Sequence, residues 1–291
     1  MLKQLRVYQI DDDTPDLADM EKITKAYPAR ECEHLQQSTV GFREFESIPG
    51  SRVLEVNGSH YLYAEVLRYR RSVPKAVLDR EVRKRVKVRV DRGEEVKRED
   101  KRLLREEINH ELLPKMPQME TVIPVIFQRD KRQLWIGAGS EGTADTALEL
   151  LRRSGLHFSV VPLFESAQVD LGRWLSDWML QRQTLPEPIE LGGKARIADP
   201  HEPKATVSIS NEDLADEELQ AVAAARSVVA LEMSCESMKF TLSHDGTFKS
   251  IKFEFPDETF DDLAHLASFV LLETGNTLDK IFMAFDAPES N

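Results

Sequence analysis

Apolar and polar residues alternate over Val53–Val56 and again over His60–Val66, with Asn57-Gly58 between them, a pattern that predicts two strands joined by a hairpin turn. Ahead of it, Leu5–Ile10 reads as a strand and Pro15–Tyr27 as a helix opened by acidic residues. After the hairpin the period changes. Ser72 and Pro74 give a helix-start signal, and Leu78, Val82, Val86 and Val90 recur every fourth residue as one apolar stripe. Val86–Val90 also alternates with Lys87 and Arg89, which suits a half-exposed strand, but the longer stripe favours helix. Gly93 ends that element. Leu104, Ile108 and Leu112 mark the inner face of a second helix that stops before Pro114, so two antiparallel helices are predicted.

Strand signals return at Thr121–Phe127 and Gln133–Ile136, followed by a helix over Thr143–Arg153, a buried strand over Phe158–Leu163 and a helix containing Trp174 and Trp178. The stretch from Leu185 through Gly192-Gly193 to Asp199-Pro200 reads as a loop and a unit boundary. Beyond it, Ala205–Ile209, Val228–Leu231, Met238–Leu242 and Phe248–Phe255 read as strands, with a turn at His244-Asp245-Gly246. Asn211–Arg226, Phe260–Leu272 and Thr277–Phe285 read as helices, before a polar tail of Pro288–Asn291. The mixture is an α+β pattern, without an internal repeat.

A chain of 291 residues with 41% hydrophobic content can bury substantial cores. Cys32 and Cys235 match no paired-cysteine metal spacing and cannot form a dense disulfide network, which points to a reducing cytoplasm. The N-terminus reads as a strand rather than an export signal, and no apolar run approaches the roughly 20 residues of a membrane span. Asn57-Gly58-Ser59 matches a glycosylation sequon, but the turn reading explains it better.

The strongest enzyme-like signal is Gly137-Ala138-Gly139-Ser140-Glu141-Gly142 after the strand ending at Ile136, a G-x-G-x-x-G loop before a helix, with Glu165 placed where a ribose-binding carboxylate could stand. It lies mid-chain, no second dinucleotide-binding half follows, and Leu148, Leu150 and Leu151 crowd the helix, so a glycine-rich turn is the better reading. The seven histidines have no ligand spacing, and no nucleophile elbow occurs. Asp11-Asp12-Asp13 and Asp261-Asp262 could hold a hard cation, but capping of adjoining helices fits them better. Neither a catalytic residue, a cofactor nor a metal is expected.

Charge distribution is more informative. The chain carries a net charge of -12, yet Arg68–Lys115 holds 17 Lys and Arg against 10 Asp and Glu, a local net of +7 that leaves -19 elsewhere. On the second helix Lys97, Lys101 and Arg105 share a face, with Arg98 and Arg102 in an adjacent row. Such rows can bind duplex phosphates by counterion release. The interleaved Glu94, Glu95, Glu99, Asp100, Glu106 and Glu107 leave a solvated, ion-paired helix as the safer reading from these residues alone. No aromatic ladder accompanies the bases, so single-strand stacking is not indicated.

Leu103–Lys115, with its helix running into Leu-Leu-Pro-Lys, resembles a junction of the recombination-associated RdgC proteins. Thr146–Arg153 and Val160–Leu163 are similar to that family's central helix and strand. Asp199-Pro200, Lys204–Val207, Asp213-Leu214, Glu217-Glu218, Arg226–Val229 and Phe248–Phe253 are similar to its C-terminal signature, in collinear order. The resemblance implies mixed sheets packed with helices, a projecting helical pair, and a ring-shaped homodimer that encircles double-stranded DNA without sequence preference and limits access of the RecA recombinase. It implies a nucleoid-associated protein of the cytoplasm. It divides the chain into a central region (1–67 and 118–165), a projecting basic helical region (68–117) and a C-terminal base (166–291). Lys75, Lys97, Arg98, Lys101, Lys115 and Arg226 match basic positions and are the expected phosphate contacts. Lys249 and Lys252 also match, with a plain sheet-surface role equally open. Where the family commonly has an aromatic loop closing the ring, this chain has Met116-Pro117-Gln118-Met119, so Met116, Pro117 and Met119 are candidate dimer contacts or core residues of one subunit. Two other readings remain: a nucleotide-binding enzyme using Gly137–Gly142, and a protein-interaction adaptor.

Overall fold

Val53–Val56 (β3) and the first half of Tyr61–Arg70 (β4) pair antiparallel as expected. Asn57, Gly58 and Ser59 take φ of 55°, 61° and 74°, so the connection is a left-handed four-residue turn. The computed structural model describes residues 1–199, 202, 205–210, 212–214, 216–255, 260 and 262–286. Pro200, Asn211, Asp261 and the tail from Pro288 to Asn291, all used in the sequence reading, lie outside the described residues.

Two antiparallel sheets form the frame. The first orders Ser38–Phe42 (β2), β4, Met119–Gln128 (β5), Gln133–Ile136 (β6), Arg6–Ile10 (β1) and Val160–Pro162 (β7), with β3 also on β4. The second orders Phe248–Phe253 (β12), Met238–Ser243 (β11), Ser227–Cys235 (β10), Ile189–Ala198 (β8) and Thr206–Ser210 (β9). Leu17–Ala26 (α1) and Glu141–Arg153 (α4) cover one face of the first sheet, burying Met20, Ala144, Ala147 and Leu151 against Leu62, Val125, Phe127 and Leu134. Its other face presents Tyr61, Tyr63 and Trp135 to a core shared with the inner face of the second sheet. Leu163–Ser166 (α5), Leu171–Met179 (α6), Glu217–Ala224 (α7) and Leu263–Asp286 (α8) contribute to that shared core, which includes Phe164, Trp178, Ala223, Val270 and Ile281.

The N-terminal segment ties the sheets together. Leu5 and Phe248 exchange two backbone hydrogen bonds of 2.9 Å, and the Ile251 N–H donates to the Lys3 carbonyl at 3.0 Å, before the chain enters β1. Arg6 and Asp245 form an ion pair at 2.8 Å beside this crossing.

Several expectations are corrected. The stretch read as a loop around Gly192-Gly193 is strand β8, an interior strand of the second sheet between β10 and β9. The glycines form a bulge: Met233 pairs with Leu191 and Leu231 with Ala195, so Glu232 stands opposite Gly192, Gly193 and Lys194. The expected pair of C-terminal helices is one helix, α8. Gly275 does not break it, because a Cβ there would lie 2.6 Å from the Tyr61 hydroxyl, and the glycine instead allows close approach to the first sheet. The Phe158–Leu163 strand shrinks to Val160–Pro162 at a sheet edge with Val161 exposed, and Leu163 begins α5. The helix expected over 211–226 is confined to Glu217–Ala224, with the Asp216 carboxylate accepting from the Glu218 and Leu219 N–H groups. Asp16, not Asp11–Asp13, caps α1; Asp13 pairs with Arg132, and Asp11 accepts from the Ser159 N–H. Asp262 does cap, accepting from the His265 N–H at 2.8 Å. Among the described residues, no helix is long and apolar enough to cross a membrane.

Candidate nucleic-acid interface

Between β4 and β5 the chain leaves the first sheet as a helical hairpin, Lys75–Asp91 (α2) and Arg98–Leu112 (α3). Pro74 precedes α2, where its fixed φ is compatible with a helix start and its missing N–H costs no ladder bond. The Val86–Val90 run is helical, so the four-residue stripe prevails over the alternation. Gly93, at φ 82°, ends the turn after α2, and the Asp100 carboxylate accepts the Lys97 N–H at 2.8 Å to start α3. The stripe buries little: Val82 on α2 and Leu104 and Ile108 on α3 are buried, whereas Val88, Val90 and Leu103 are exposed.

Ion pairs sew the two helices together. Arg105 bonds to Asp79, and Arg85 bonds to Glu111 and lies 3.6 Å from Glu107. The Arg85 hydrogen bond and charge hold the Glu111 carboxyl below the usual carboxylate range. Within single helices, Lys84 pairs with Glu81 at 2.8 Å, Arg80 with Glu81 at 3.4 Å, and Arg102 with Glu99 at 3.0 Å. The ion-paired reading of this segment therefore holds for five of its basic residues.

It does not hold for the expected contacts. Lys75, Lys97, Arg98, Lys101 and Lys115 are exposed, and among the described residues none of them enters an ion pair. Lys97, Arg98 and Lys101 gather at the start of α3, the end of the hairpin away from the sheet. Lys75 and Lys115 stand at the sheet end, where Arg70 pairs with Met119. At 1.5 Å per residue these two groups are roughly 20–25 Å apart along the helix axis. Arg226 is not brought into the hairpin; it is half-buried in the turn between α7 and β10 of the second sheet. Sequence reasoning passed over Lys87, Arg89 and Arg92, which are also unpaired among the described residues and lie on the α2 side of the hairpin end. Their types were visible within the basic segment, but their lack of partners was not.

Met116 is half-buried, while Pro117 and Met119 are exposed, Met119 at 69%. Met119 is thus not a core residue of one subunit.

The glycine loop is built differently from a dinucleotide site. Its strand, β6, runs antiparallel to both neighbours, β5 and β1. A Cβ at Gly137 would lie 2.5 Å from the Pro124 ring, and one at Gly139 would strike the Gln4 side chain. The Gly137 N–H donates to the Pro124 carbonyl and the Ala138 N–H to the Ile136 carbonyl, both at 2.8 Å, so these amides are engaged within the fold. Glu165 lies in α5. Cys32 and Cys235 are buried free thiols. Among the described residues, no three His, Cys, Asp or Glu side chains form a group that could hold a metal ion.

The family model described as "Putative exonuclease, RdgC" matches residues 1–268. Curated relatives named "Recombination-associated protein RdgC" include one from Pseudoalteromonas translucida, 26% identical over 242 residues that cover 81% of this chain and 77% of the relative. Another, from Pseudoalteromonas atlantica, is 26% identical over 269 residues, covering 90% and 86%. One from Psychromonas ingrahamii is 22% identical over 255 residues, covering 86% and 83%.

Proposed function

The chain belongs to the RdgC family, and from that premise we propose that it is a sequence-tolerant binder of double-stranded DNA that acts without a catalytic step. The observation that carries this reading is the set of exposed, unpaired cations on the α2–α3 hairpin of an otherwise acidic chain. Lys75, Lys97, Arg98, Lys101, Lys115 and Arg226 are its phosphate contacts. Contacts of this kind position a protein on the backbone and carry no base sequence. In this reading the protein works as a ring-like homodimer at the nucleoid of the cytoplasm, and its occupancy of duplex limits access of a RecA-type recombinase. Exposed Val88, Val90, Leu103 and Met119 supply apolar surface for a second copy, with Met116 and Pro117 beside it.

Six phosphate contacts per protomer, twelve in the homodimer, give a slope of log affinity against log salt of about -11. Fluorescence anisotropy on duplexes of several sequences checks this. Lys97→Glu with Lys101→Glu is expected to weaken all of them alike, and unchanged binding defeats the site. An end-labelled linear duplex incubated with the protein and a divalent cation tests the exonuclease reading, and release of terminal nucleotides overturns the non-catalytic one.

A further inference from the structure

The second sheet has two unlike faces. Alternation along its strands sends Ile197, Val228, Leu231, Met233, Phe240, Leu242 and Phe248 into the shared core. Cross-strand register builds the opposite face in rows. Lys249 pairs with Thr241, Thr241 with Glu232, and Lys194, beside Glu232, with Ser210. Alongside, Ser243 pairs with Ala230, Ala230 with Arg196, and Arg196 with Ser208. On the other side Lys252 pairs with Lys239, and Lys239 with Ser234.

This face is a shallow cleft of about 510 Å³, lined by Lys194, Arg196, Ser208, Thr241 and Lys249 among others. Its long cations and short hydroxyls are interspersed with small apolar side chains and with Asp245, and the exposed Glu190, opposite Ser234, ends the third row. Lysine, arginine and hydroxyl groups on a regular lattice are the donor set that duplex phosphates take.

Glu232 sits within these rows and is nearly buried, its side chain 8% exposed. The Gly193 N–H left over by the bulge donates to its carboxylate at 3.1 Å, and the ammonium groups of Lys194 and Lys239 approach at 3.1 and 3.3 Å. Gly192 makes the seat available, since a Cβ there would lie 2.6 Å from Glu232 Oε2. Burial pushes the Glu232 carboxyl up, but the hydrogen bonds and charges of the two lysines outweigh it and the group is held below its ordinary range. Of five cations on the face, Lys194 and Lys239 therefore share one internal counter-charge. Arg196, Lys249 and Lys252 have no ion pair among the described residues.

We propose that this open sheet face is a further contact surface for the phosphates of duplex DNA, and that Glu232 is a built-in counter-charge that limits its grip by holding Lys194 and Lys239. The inference rests on the duplex-binding reading but not on the hairpin residues. Lys194 and Lys239 are each about half exposed, at 52% and 45%, so either ammonium can exchange the carboxylate for a phosphate once Glu232 is neutral.

The test is a salt titration of duplex affinity by anisotropy. Arg196→Gln with Lys249→Gln, at positions without ion pairs, is expected to make the salt slope of the homodimer shallower by up to about 3.6, with equal weakening across sequences. Glu232→Gln is expected to tighten binding and steepen the slope. Glu149→Gln, an equal change of net charge on exposed α4, is expected to leave both unaltered. If the wild-type chain does not bind duplex, the parent reading fails. If it binds, and weakens with Lys97→Glu and Lys101→Glu but not with Arg196→Gln and Lys249→Gln, only the sheet surface is overturned. A shift in oligomeric state with unchanged duplex affinity for the latter pair also overturns it, in favour of a second copy as occupant. Weaker or equal binding by folded Glu232→Gln overturns the counter-charge. Should that variant melt below the assay temperature, Lys194→Gln decides: an unchanged slope supports the assignment, and a loss of about 1.8 in the homodimer refutes it.

Discussion

Lys101 and Arg105 stand one helical turn apart on α3, and removing either takes away one positive charge. Among the described residues, of the two only Arg105 has an ion-pair partner, Asp79 on the facing helix. Replacing each with alanine therefore separates contact from general electrostatics. If Lys101 meets a phosphate in each protomer of the homodimer, Lys101→Ala lowers the salt slope by about 1.8, so its deficit against wild type changes roughly 12-fold between 50 and 200 mM salt. As an exposed residue without a partner, its loss leaves stability within about 0.5 kcal/mol. Arg105→Ala does the reverse. The slope stays near that of wild type, and loss of a half-exposed ion pair costs roughly 0.5 kcal/mol, partly offset by alanine's helix propensity. Anisotropy from 50 to 200 mM salt and thermal denaturation of both variants provide the readouts. An equal slope loss for the two would refute sorting of cations by their ion pairs. No loss for either would remove this face of the hairpin from the interface.

Two further outcomes concern the junction of the sheets. Gly275→Ala gains helix propensity of about 1 kcal/mol, yet it is expected to lower the melting temperature because the new methyl meets the Tyr61 hydroxyl. Tyr61→Phe in the same chain is expected to recover much of the loss, and stabilisation by Gly275→Ala alone would contradict the close-approach account. For Asp245, burial pushes its carboxyl up, but the hydrogen bond from the Thr247 N–H and the charges of Arg6 and Lys249 hold it below the ordinary value. Its stabilisation is thus complete above the unfolded value of about 3.9 and is lost as pH falls through the lower folded one. Asp245→Asn is expected to cost about 0.5 kcal/mol at pH 7, discounted for exposure, and to flatten the acid limb of melting temperature against pH, while an unaltered limb would refute the assignment.

Local periodicity made most elements legible. Alternation located β3, β4, β5 and β6, and the four-residue stripe identified α2 even where Val86–Val90 could be read both ways. The errors fall on glycines and on apolar runs. Gly192-Gly193 was read as part of a loop because glycine at a turn and glycine at a close approach are identical in one-dimensional sequence, and the break expected between Leu272 and Thr277 spans a second close approach, Gly275. What distinguishes them is the atom opposite, Glu232 in one case and Tyr61 in the other, more than 35 residues away in either case. The Phe158–Leu163 run erred differently, since a mostly apolar stretch at a sheet edge looks like one in a sheet centre.

The site divides along the same line. Residue type and net charge pointed to Arg68–Lys115, and collinear resemblance selected individual positions within it. Neither could tell Lys101 from Arg105, because the answer lies at Asp79 on the other helix. The sheet face was less accessible still. Lys194 and Arg196 sit in a stretch read as a loop, and Lys249 and Lys252 follow about 55 residues later in a strand whose surface role was left open. No local pattern joins them. Strand register does, and so does the bulge that puts Glu232 between Lys194 and Lys239. A cation's availability to a phosphate is therefore a property of its nearest carboxylate in space. That makes Glu232→Gln, which leaves every cation in place, the most direct test of whether duplex affinity, in the proposed reading, is set by how many positive charges the chain carries or by how many it leaves unpaired.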